Sequence, residues 1–279
     1  TYLGDDMTEY LTAYAKGGGK YEPKTKDLSM GVEGMRHMEI PAQDRNRTSP
    51  FPYGGHRFEF RAVGSSQNVS LVNTVLNALT AKKFAEISEG VEAGKDAVAV
   101  AQEMLKKHFK VIYNGNGYDP AWPAEADKLG ITHIDSGVEA IDKFVAEKNV
   151  KMFEDLKVFD AAECAARRTI LLDLYVGTIE MEVGCMIDMI NQHAIPSAKA
   201  AGIDAAGMSA GVVKLEAALK EMHAAADEYE AAKLARVLRL DTMIDVRKVV
   251  DDVEAICPAD KWTLATYKEL LFVDVGKFA

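Results

Sequence analysis

From about residue 92 to Cys257 the chain reads almost without interruption as helix, and no sheet-dominated fold can absorb a stretch of that length. The segment is rich in Ala, Leu, Glu, Lys and Met, the residues that lose least on entering a helix. Two pieces stand out, about 160–193 and 208–255, separated by AIPSAKAAGIDAAG. In the second, Val212, Leu215, Leu219, Met222, Ala226 and Tyr229 keep the alternating three- and four-residue spacing of a helix–helix seam. At about 1.5 Å per residue each piece exceeds roughly 45 Å, so the pattern predicts a long antiparallel helix pair. Shorter helices are expected over about 94–112, 121–129, 136–147 and 149–156, with NGNGYDPAW (114–122) as a turn cluster.

The chain before residue 92 has a different character. DDMTEYLTAYA (5–15) reads as a short helix with an acidic first turn, ended by Gly17-Gly18-Gly19. Lys20 to Lys26 is a polar loop, and LSMGVEGM (28–35) alternates weakly as a strand would. IPAQDRNRTSPFPYGG (40–55) is a loop by its three prolines and two glycines, yet it carries aromatics and arginines. A strand is expected over 56–63, then a helix from Val69 to about Ile87 with Ser65 or Ser66 as its N-cap. Two regions follow from this: 1–92, mixed α and β, and 93–279, helical.

Charge removes several function classes. A net charge of −10 argues against DNA, RNA or an anionic membrane surface as the main partner. No apolar run approaches the roughly 20 residues needed to span a bilayer. Three widely spaced cysteines, Cys164, Cys185 and Cys257, fit no zinc spacing and suggest reduced thiols in a cytosol-like compartment. The chain opens at Thr1 without an initiator Met or a signal segment, as a processed chain or a fragment would.

The helical part offers little chemistry. His193 and His223 read as surface or capping residues, and Met181, Met186 and Met189 as core filler. NGNGY lacks the Lys-Ser/Thr of a phosphate loop, and the acidic runs read as solvated helix faces. The segment 44–61 differs. It holds four of the ten arginines (Arg45, Arg47, Arg57, Arg61) and none of the 23 lysines, an island of net +2 once Asp44 and Glu59 are counted. On a strand of period two, Arg57, Glu59 and Arg61 share one face, while His56, Phe58 and Phe60 share the other, able to lie on a core. Arginine without lysine is what bidentate recognition of phosphate or carboxylate favours. A glutamate between two arginines suits a divalent cation bridging the same phosphates. Internal salt bridges on a solvated face are the other reading of the same residues.

The block DRNRTSPFPYGGHRFEFRAVGSSQNVSLVNTVLNAL (44–79) closely resembles the C-terminal part of the catalytic domain of type III glutamine synthetases. The resemblance continues through VIYNGNGYDPAW (111–122), KNVKMFEDLKVF (148–159) and MIDMINQHAIPS (186–197) to TYKELLF (266–272), covering nearly the whole chain. It implies an α+β fold: the C-terminal part of a catalytic β-barrel domain, contributing few strands, followed by the large helical region. It implies an ATP-dependent glutamate–ammonia ligase working through a γ-glutamyl phosphate, with Mg²⁺ or Mn²⁺. Carried over by position, Arg47 and Arg57 would contact ATP, Glu59 would ligate the metal, and Arg61 would face glutamate or its phosphorylated γ-carboxyl as the catalytic arginine. Pro52 stands where many members of the superfamily have a further arginine, which Arg45 or Arg57 would then replace. The implied partners are glutamate, ammonia, ATP, the N-terminal part of the enzyme, and further copies in hexameric or dodecameric rings. The implied location is the cytoplasm, or a plastid. Most metal-binding carboxylates of such enzymes lie upstream of the matching region, so these 279 residues alone are expected to be inactive. The alternative is a non-catalytic helical scaffold or regulatory protein derived from a glutamine synthetase C-terminal region.

Overall fold

The computed structural model describes residues 1–18, 46–62, 64 and 67–272, together with the backbone of two short strands, Thr25–Leu28 (β1) and Met38–Pro41 (β2). The chain forms two compact units, residues 1–134 and 135–279. The expected 28–35 strand beyond Leu28, the proposed caps Ser65 and Ser66, and Arg45 lie outside the described residues.

In the first unit, helix α1 (Asp5–Ala15) and helix α2 (Ser70–Glu92) both pack on α3 (Ala97–His108), and α4 (Trp122–Lys128) follows a short 3₁₀ turn and the NGNG loop. Helix α2 starts with Asn68, whose Oδ1 accepts from the Ser70 amide at 2.8 Å. Helix α3 is capped by Asp96, which accepts from the Ala99 amide at 2.9 Å. β1 and β2 pair antiparallel, Thr25 opposite Pro41 and Leu28 opposite Met38. Among the described residues these four-residue strands form the whole of the sheet structure, which overturns the expected piece of a catalytic β-barrel. Among the described residues the buried apolar side chains of this unit are small: Ala15, Ala78, Val100 and Ala126.

The second unit is a helical bundle with a much larger core, and it opens with the short helices α5 (Gly137–Asp142) and α6 (Glu147–Asp155). Helix α7 (Ala161–Met189) opens on a capping box, Asp160 accepting from the Glu163 amide and Glu163 accepting from the Asp160 amide. It was expected to end near residue 193, but the helix runs on through a wide π turn, Ile190–Ala194, into α8 (Ile195–Ala200). Pro196 explains the π turn. A proline ring clashes with the carbonyl four residues back, and widening the ladder just before it relieves that clash. The helix then ends in a Schellman motif. Gly202 takes φ 73° and donates to the Lys199 carbonyl, while the Ile203 amide donates to the Ala198 carbonyl.

The second long helix is not continuous either. It divides into α9 (Ala206–His223), α10 (Glu228–Val237) and α11 (Met243–Glu254), the last two joined by a π turn at Leu238–Thr242. Asp227 is the cause of the break. Its carboxylate accepts from the Tyr229 and Glu230 amides at 2.9 Å each, starting a new helix where a continuous one was expected. The predicted seam holds at Val212, Leu215 and Met222, which are buried, and fails at Ala226, which is exposed in the turn. The result is three helical runs in place of one antiparallel pair, with α10 packed on both α7 and α9 and α11 packed on α9. Ile179, Val183, Met208, Leu215, Met222 and Leu238 fill the core between them. Of the three methionines expected there, Met186 packs against this core, whereas Met181 and Met189 are exposed.

Arg168 ties this unit together at one end, bonding Asp142 of α5 (Gly137–Asp142) at 2.9 Å and Glu228 of α10 at 3.1 Å. At the other end α9 and α11 approach closely because α9 carries glycines there. A Cβ at Gly211 would sit 2.8 Å from Val246 Cγ1, and one at Gly207 would sit 3.2 Å from Val249 Cγ1. Gly211→Ala is therefore expected to destabilise the chain even though alanine is the better helix former. Overpacking costs about 1–3 kcal/mol and the helix gains about 1 kcal/mol, a net loss on the order of 1 kcal/mol. A urea titration of the variant against the parent checks this, with an unchanged or higher midpoint contradicting the close packing.

Candidate functional site

The arginine-rich segment folds back on itself without forming the expected strand. Arg61 donates its amide to the Pro50 carbonyl at 2.8 Å, Glu59 to the Pro52 carbonyl at 3.0 Å, and Gly54 to the Arg57 carbonyl at 2.7 Å. This is the spacing of an antiparallel hairpin around Gly55, which sits at φ 86°. In a regular antiparallel ladder every second facing pair exchanges two bonds. Here the return donor in two of the pairs would be Pro50 or Pro52, and neither has an N–H. The ladder therefore closes only as an isolated bridge, Tyr53 to Phe58. The two-residue alternation survives, but the strand does not.

On one face of this hairpin, Phe58 stacks on Phe51 with ring centroids 5.1 Å apart and lies 5.3 Å from Tyr53. The aromatic face does not rest on a core as expected, since Phe58 and Phe60 are 49% and 50% exposed. On the other face, Arg57, Glu59 and Arg61 are drawn into one cluster. Arg57 donates through Nε at 3.0 Å and approaches through NH2 at 2.9 Å, both to Glu59 Oε1. Arg61 donates through Nε at 3.2 Å and NH2 at 2.7 Å, both to Glu59 Oε2. Each carboxylate oxygen thus serves one guanidinium. The remaining arm of Arg61 donates to the Asn46 carbonyl, and that of Arg57 reaches His56 Nε2 at 3.0 Å.

Asn46 shapes the neighbouring turn. Its side-chain oxygen accepts from the Thr48 and Ser49 amides, at 3.0 and 2.6 Å. Arg47, between them, is exposed and has no ion-pair or hydrogen-bond partner among the described residues. Of the sequence-predicted site, then, Arg57, Glu59 and Arg61 are brought together, and Arg47 stands apart from them without a counter-ion among the described residues. Among the described residues no three His, Cys, Asp or Glu side chains converge as metal ligands.

The sequence reading missed what fixes this turn in place. The NGNG loop, read only as a turn, docks on it: the Gly117 amide donates to Thr48 Oγ1 at 3.2 Å, and a Cβ at Gly117 would land on the Thr48 carbonyl oxygen. Asn114 of the same loop accepts from the Leu3 and Gly4 amides at 3.1 Å each and donates to Thr8 Oγ1 at 2.9 Å. The Tyr2 carbonyl in turn accepts from the Tyr53 amide at 2.8 Å. The available signal was the glycine at 117, which permits a close approach of another backbone, but nothing local identifies that backbone.

Comparison with known proteins bears on this cluster. Residues 96–202 match the model of the glutamine synthetase C-terminal domain. The type-3 glutamine synthetase of Dictyostelium discoideum is 26% identical over 98% of this chain and 43% of its own length. Glutamine synthetases of Butyrivibrio fibrisolvens and Bacteroides fragilis are 27% and 28% identical, over 97% and 71% of this chain and 44% and 28% of theirs. The chain is similar to type III glutamine synthetases, and the matching stretch 96–202 corresponds to the glutamine synthetase C-terminal domain. It spans less than half the length of these curated relatives. The domain match lies in the helical part. The two alignments that cover nearly the whole chain extend the glutamine synthetase likeness beyond that domain.

The cluster makes a direct electrostatic prediction. The hydrogen bond from Arg61, followed by that from Arg57, holds the Glu59 carboxyl below its ordinary value of 4.5. A depressed carboxyl contributes its ordering above the ordinary value and loses it as the pH falls through the lowered one. Carbon-13 NMR of the Glu59 carboxyl is expected to show a midpoint below 4.5. Arg61→Ala should raise that midpoint more than Arg57→Ala does, and equal or reversed effects would contradict the clamp.

Proposed function

We propose that this chain supplies the arginine-bearing wall of an ATP-dependent glutamate–ammonia ligase, which makes glutamine through a γ-glutamyl phosphate. The observation that carries the reading is the pair of guanidiniums aligned by Glu59, in a block that resembles type III glutamine synthetases. In that reaction the γ-phosphoryl group of ATP passes to a γ-carboxylate oxygen of glutamate, and ammonia then displaces phosphate at the acyl carbon. Both transition states concentrate negative charge on oxygens, so catalysis depends mostly on placement and charge neutralisation. In this reading Arg61 faces the γ-carboxyl, Arg57 and Arg47 contact the nucleotide phosphates, and Arg47 has no partner among the described residues to compete with them. The remaining catalytic groups belong to the part of such enzymes that this chain does not span, and the residues alone make no glutamine.

Mg²⁺ or Mn²⁺ serves the family by neutralising phosphate charge. The described residues do not by themselves fit such an ion, because Glu59 is a single carboxylate with both oxygens already bonded. Its role in this chain is to hold Arg57 and Arg61 at a fixed separation. The small buried residues of the first unit, with Phe58, Phe60 and Phe84 exposed, support the reading that further polypeptide covers this part.

Arg61→Ala in the complete enzyme tests the assignment. Loss of a charged donor aimed at developing charge costs on the order of 10²–10³ in rate. The check is phosphate release with glutamate, ATP and ammonia, and activity within about threefold of the parent refutes the role of Arg61. In the same assay Glu59→Gln is expected to lower the rate with the Mg²⁺ midpoint unchanged if it only aligns the arginines. A midpoint moved to higher Mg²⁺ assigns it to the metal instead.

A further inference from the structure

The loop that docks on the arginine segment carries one dipeptide twice, Asn114-Gly115 and Asn116-Gly117. An asparagine followed by glycine can lose its side-chain amide without an enzyme, because no Cβ shields the next backbone nitrogen from the side-chain carbonyl carbon. The fold treats the two asparagines differently. Asn114 is half-buried and held at both ends of its amide. Its Oδ1 accepts from the Leu3 and Gly4 amides at 3.1 Å each, and its Nδ2 donates to Thr8 Oγ1 at 2.9 Å. The glycine after it lies against the Tyr113 ring, where a Cβ would sit 2.5 Å away, and that ring is stacked on Trp122. Asn116 is exposed, and its Nδ2 has no hydrogen-bond partner among the described residues. Its Oδ1 accepts from the Tyr118 amide at 3.0 Å, and the Gly117 amide donates to Thr48 Oγ1 at 3.2 Å.

We infer that Asn116 is a site of spontaneous covalent modification, and that its isoaspartyl product unseats the loop from Thr48. The Gly117 nitrogen attacks Asn116 Cγ, so that an N–Cγ bond forms and the Cγ–Nδ2 bond breaks. The Gly117 amide proton leaves with Nδ2 as ammonia, and a five-membered succinimide remains. Water then opens either of its carbonyls, giving aspartate or, with the main chain rerouted through the side-chain carbon, isoaspartate. The net exchange is one ammonia out and one water in, with no oxidant or reductant. Three features of the fold serve this step. The Tyr118 amide faces the oxygen on which negative charge develops, as an oxyanion donor does. Thr48 Oγ1 accepts the proton that Gly117 must give up. The departing nitrogen has no bond to a neighbour to break. At Asn114 the oxygen also has donors, but the leaving nitrogen is bound to Thr8, and the Gly115 amide has no acceptor among the described residues. The product matters because of where Gly117 sits. Even a Cβ there would land on the Thr48 carbonyl oxygen, so the loop has no room for added main chain. Isoaspartate inserts one further carbon into the chain at that point and places a carboxylate in the loop that holds the turn of Arg47. The inference stands on this loop and does not depend on the ligase reading.

Lys110 and Lys128 bound a single tryptic peptide that holds both asparagines, so one fragmentation spectrum reads both sites. The 279-residue chain is incubated at neutral pH and physiological temperature beside the synthetic peptide 111–128. In the folded chain a gain of about one dalton is expected at Asn116, at a rate no lower than in the peptide. Conversion at Asn114 is expected to be at least tenfold slower, since two more hydrogen bonds have to break there. Thr48→Val should slow conversion at Asn116 severalfold, whereas Thr48→Ser, which keeps the hydroxyl, should leave it at the parent rate. The converted chain separates from the parent on an ion exchanger by its added negative charge. Hydrogen exchange over residues 46–49 and at Gly117 is expected to be at least tenfold faster in it. Equal rates at the two asparagines, or an Asn116 that converts more slowly folded than in the peptide, overturn the site. A Thr48→Val chain that converts as fast as the parent, or faster, overturns the part given to the hydroxyl. Exchange unchanged in the converted chain overturns the unseating.

Discussion

A helix as long as α7 with its α8 extension cannot be held by its own hydrogen bonds, because isolated helices are marginal and tertiary burial of one stripe supplies most of the stability. Something must cover that stripe along its length. In the second unit α9 and α10 both pack against α7, and α11 packs on α9. The break at Asp227 is what allows this. One straight helix from 208 to 255 could lie beside α7 as a single partner, while two shorter runs turned at residues 224–227 give a three-sided core. Leu172 and Ala232 pack together with Val138 at the Arg168 end, and Met208, Leu215 and Leu238 join the main cluster. The π turns at Ile190–Ala194 and Leu238–Thr242 each adjust the direction of a helix where it meets the others.

The helical character of this region was legible because propensity and periodicity agree over long windows, and agreement across levels is the reliable signal. Its breaks were less legible. Asp227 looks like one more acidic residue in an acidic helix until its carboxylate is seen on two amides, and Pro196 looks like a terminator until the π turn absorbs it. Periodicity also locates an apolar residue on a helix without saying which of two sides is covered. That is why Met181 and Met189 read as core and stand outside it, while Met186, between them, lies inside.

The candidate site was legible at the level of one face and no further. A period of two put Arg57, Glu59 and Arg61 together, and their side chains do meet. The same pattern predicted a strand, and Pro50 and Pro52 prevented it by withholding the donors a ladder needs on that side. Composition alone reads 40–55 as a loop and does not identify Pro50 and Pro52 as the partners of 56–63. The contacts of Gly117 with Thr48 and of Asn114 with Leu3 and Gly4 were beyond reach for a different reason. They join residues 69 and 111 positions apart, and no local pattern encodes such a pairing.

The site's charge arrangement also carries an argument about order. In a chain of net charge −10, an anion approaching from solvent meets a repulsive field except within about a Debye length, ~8–10 Å, of a local excess of cations. Arg47, Arg57 and Arg61 with one glutamate make such an excess. Without Glu59 the two hairpin guanidiniums would repel each other, and each long side chain would sample many rotamers. An incoming phosphate would then have to supply the ordering free energy itself. With Glu59 between them the guanidiniums are held in position before any ligand arrives, by hydrogen bonds that depend on the carboxylate remaining ionised. A glutamate that neutralises one positive charge thereby increases what the other charges can do, since preorganised donors stabilise developing charge without reorganising during the reaction. The same reasoning separates the three arginines. Arg57 and Arg61 have most of their direction fixed in advance by Glu59. Arg47, on its Asx turn, has no such partner among the described residues and keeps its reach, as the proposed contact with a flexible triphosphate would require.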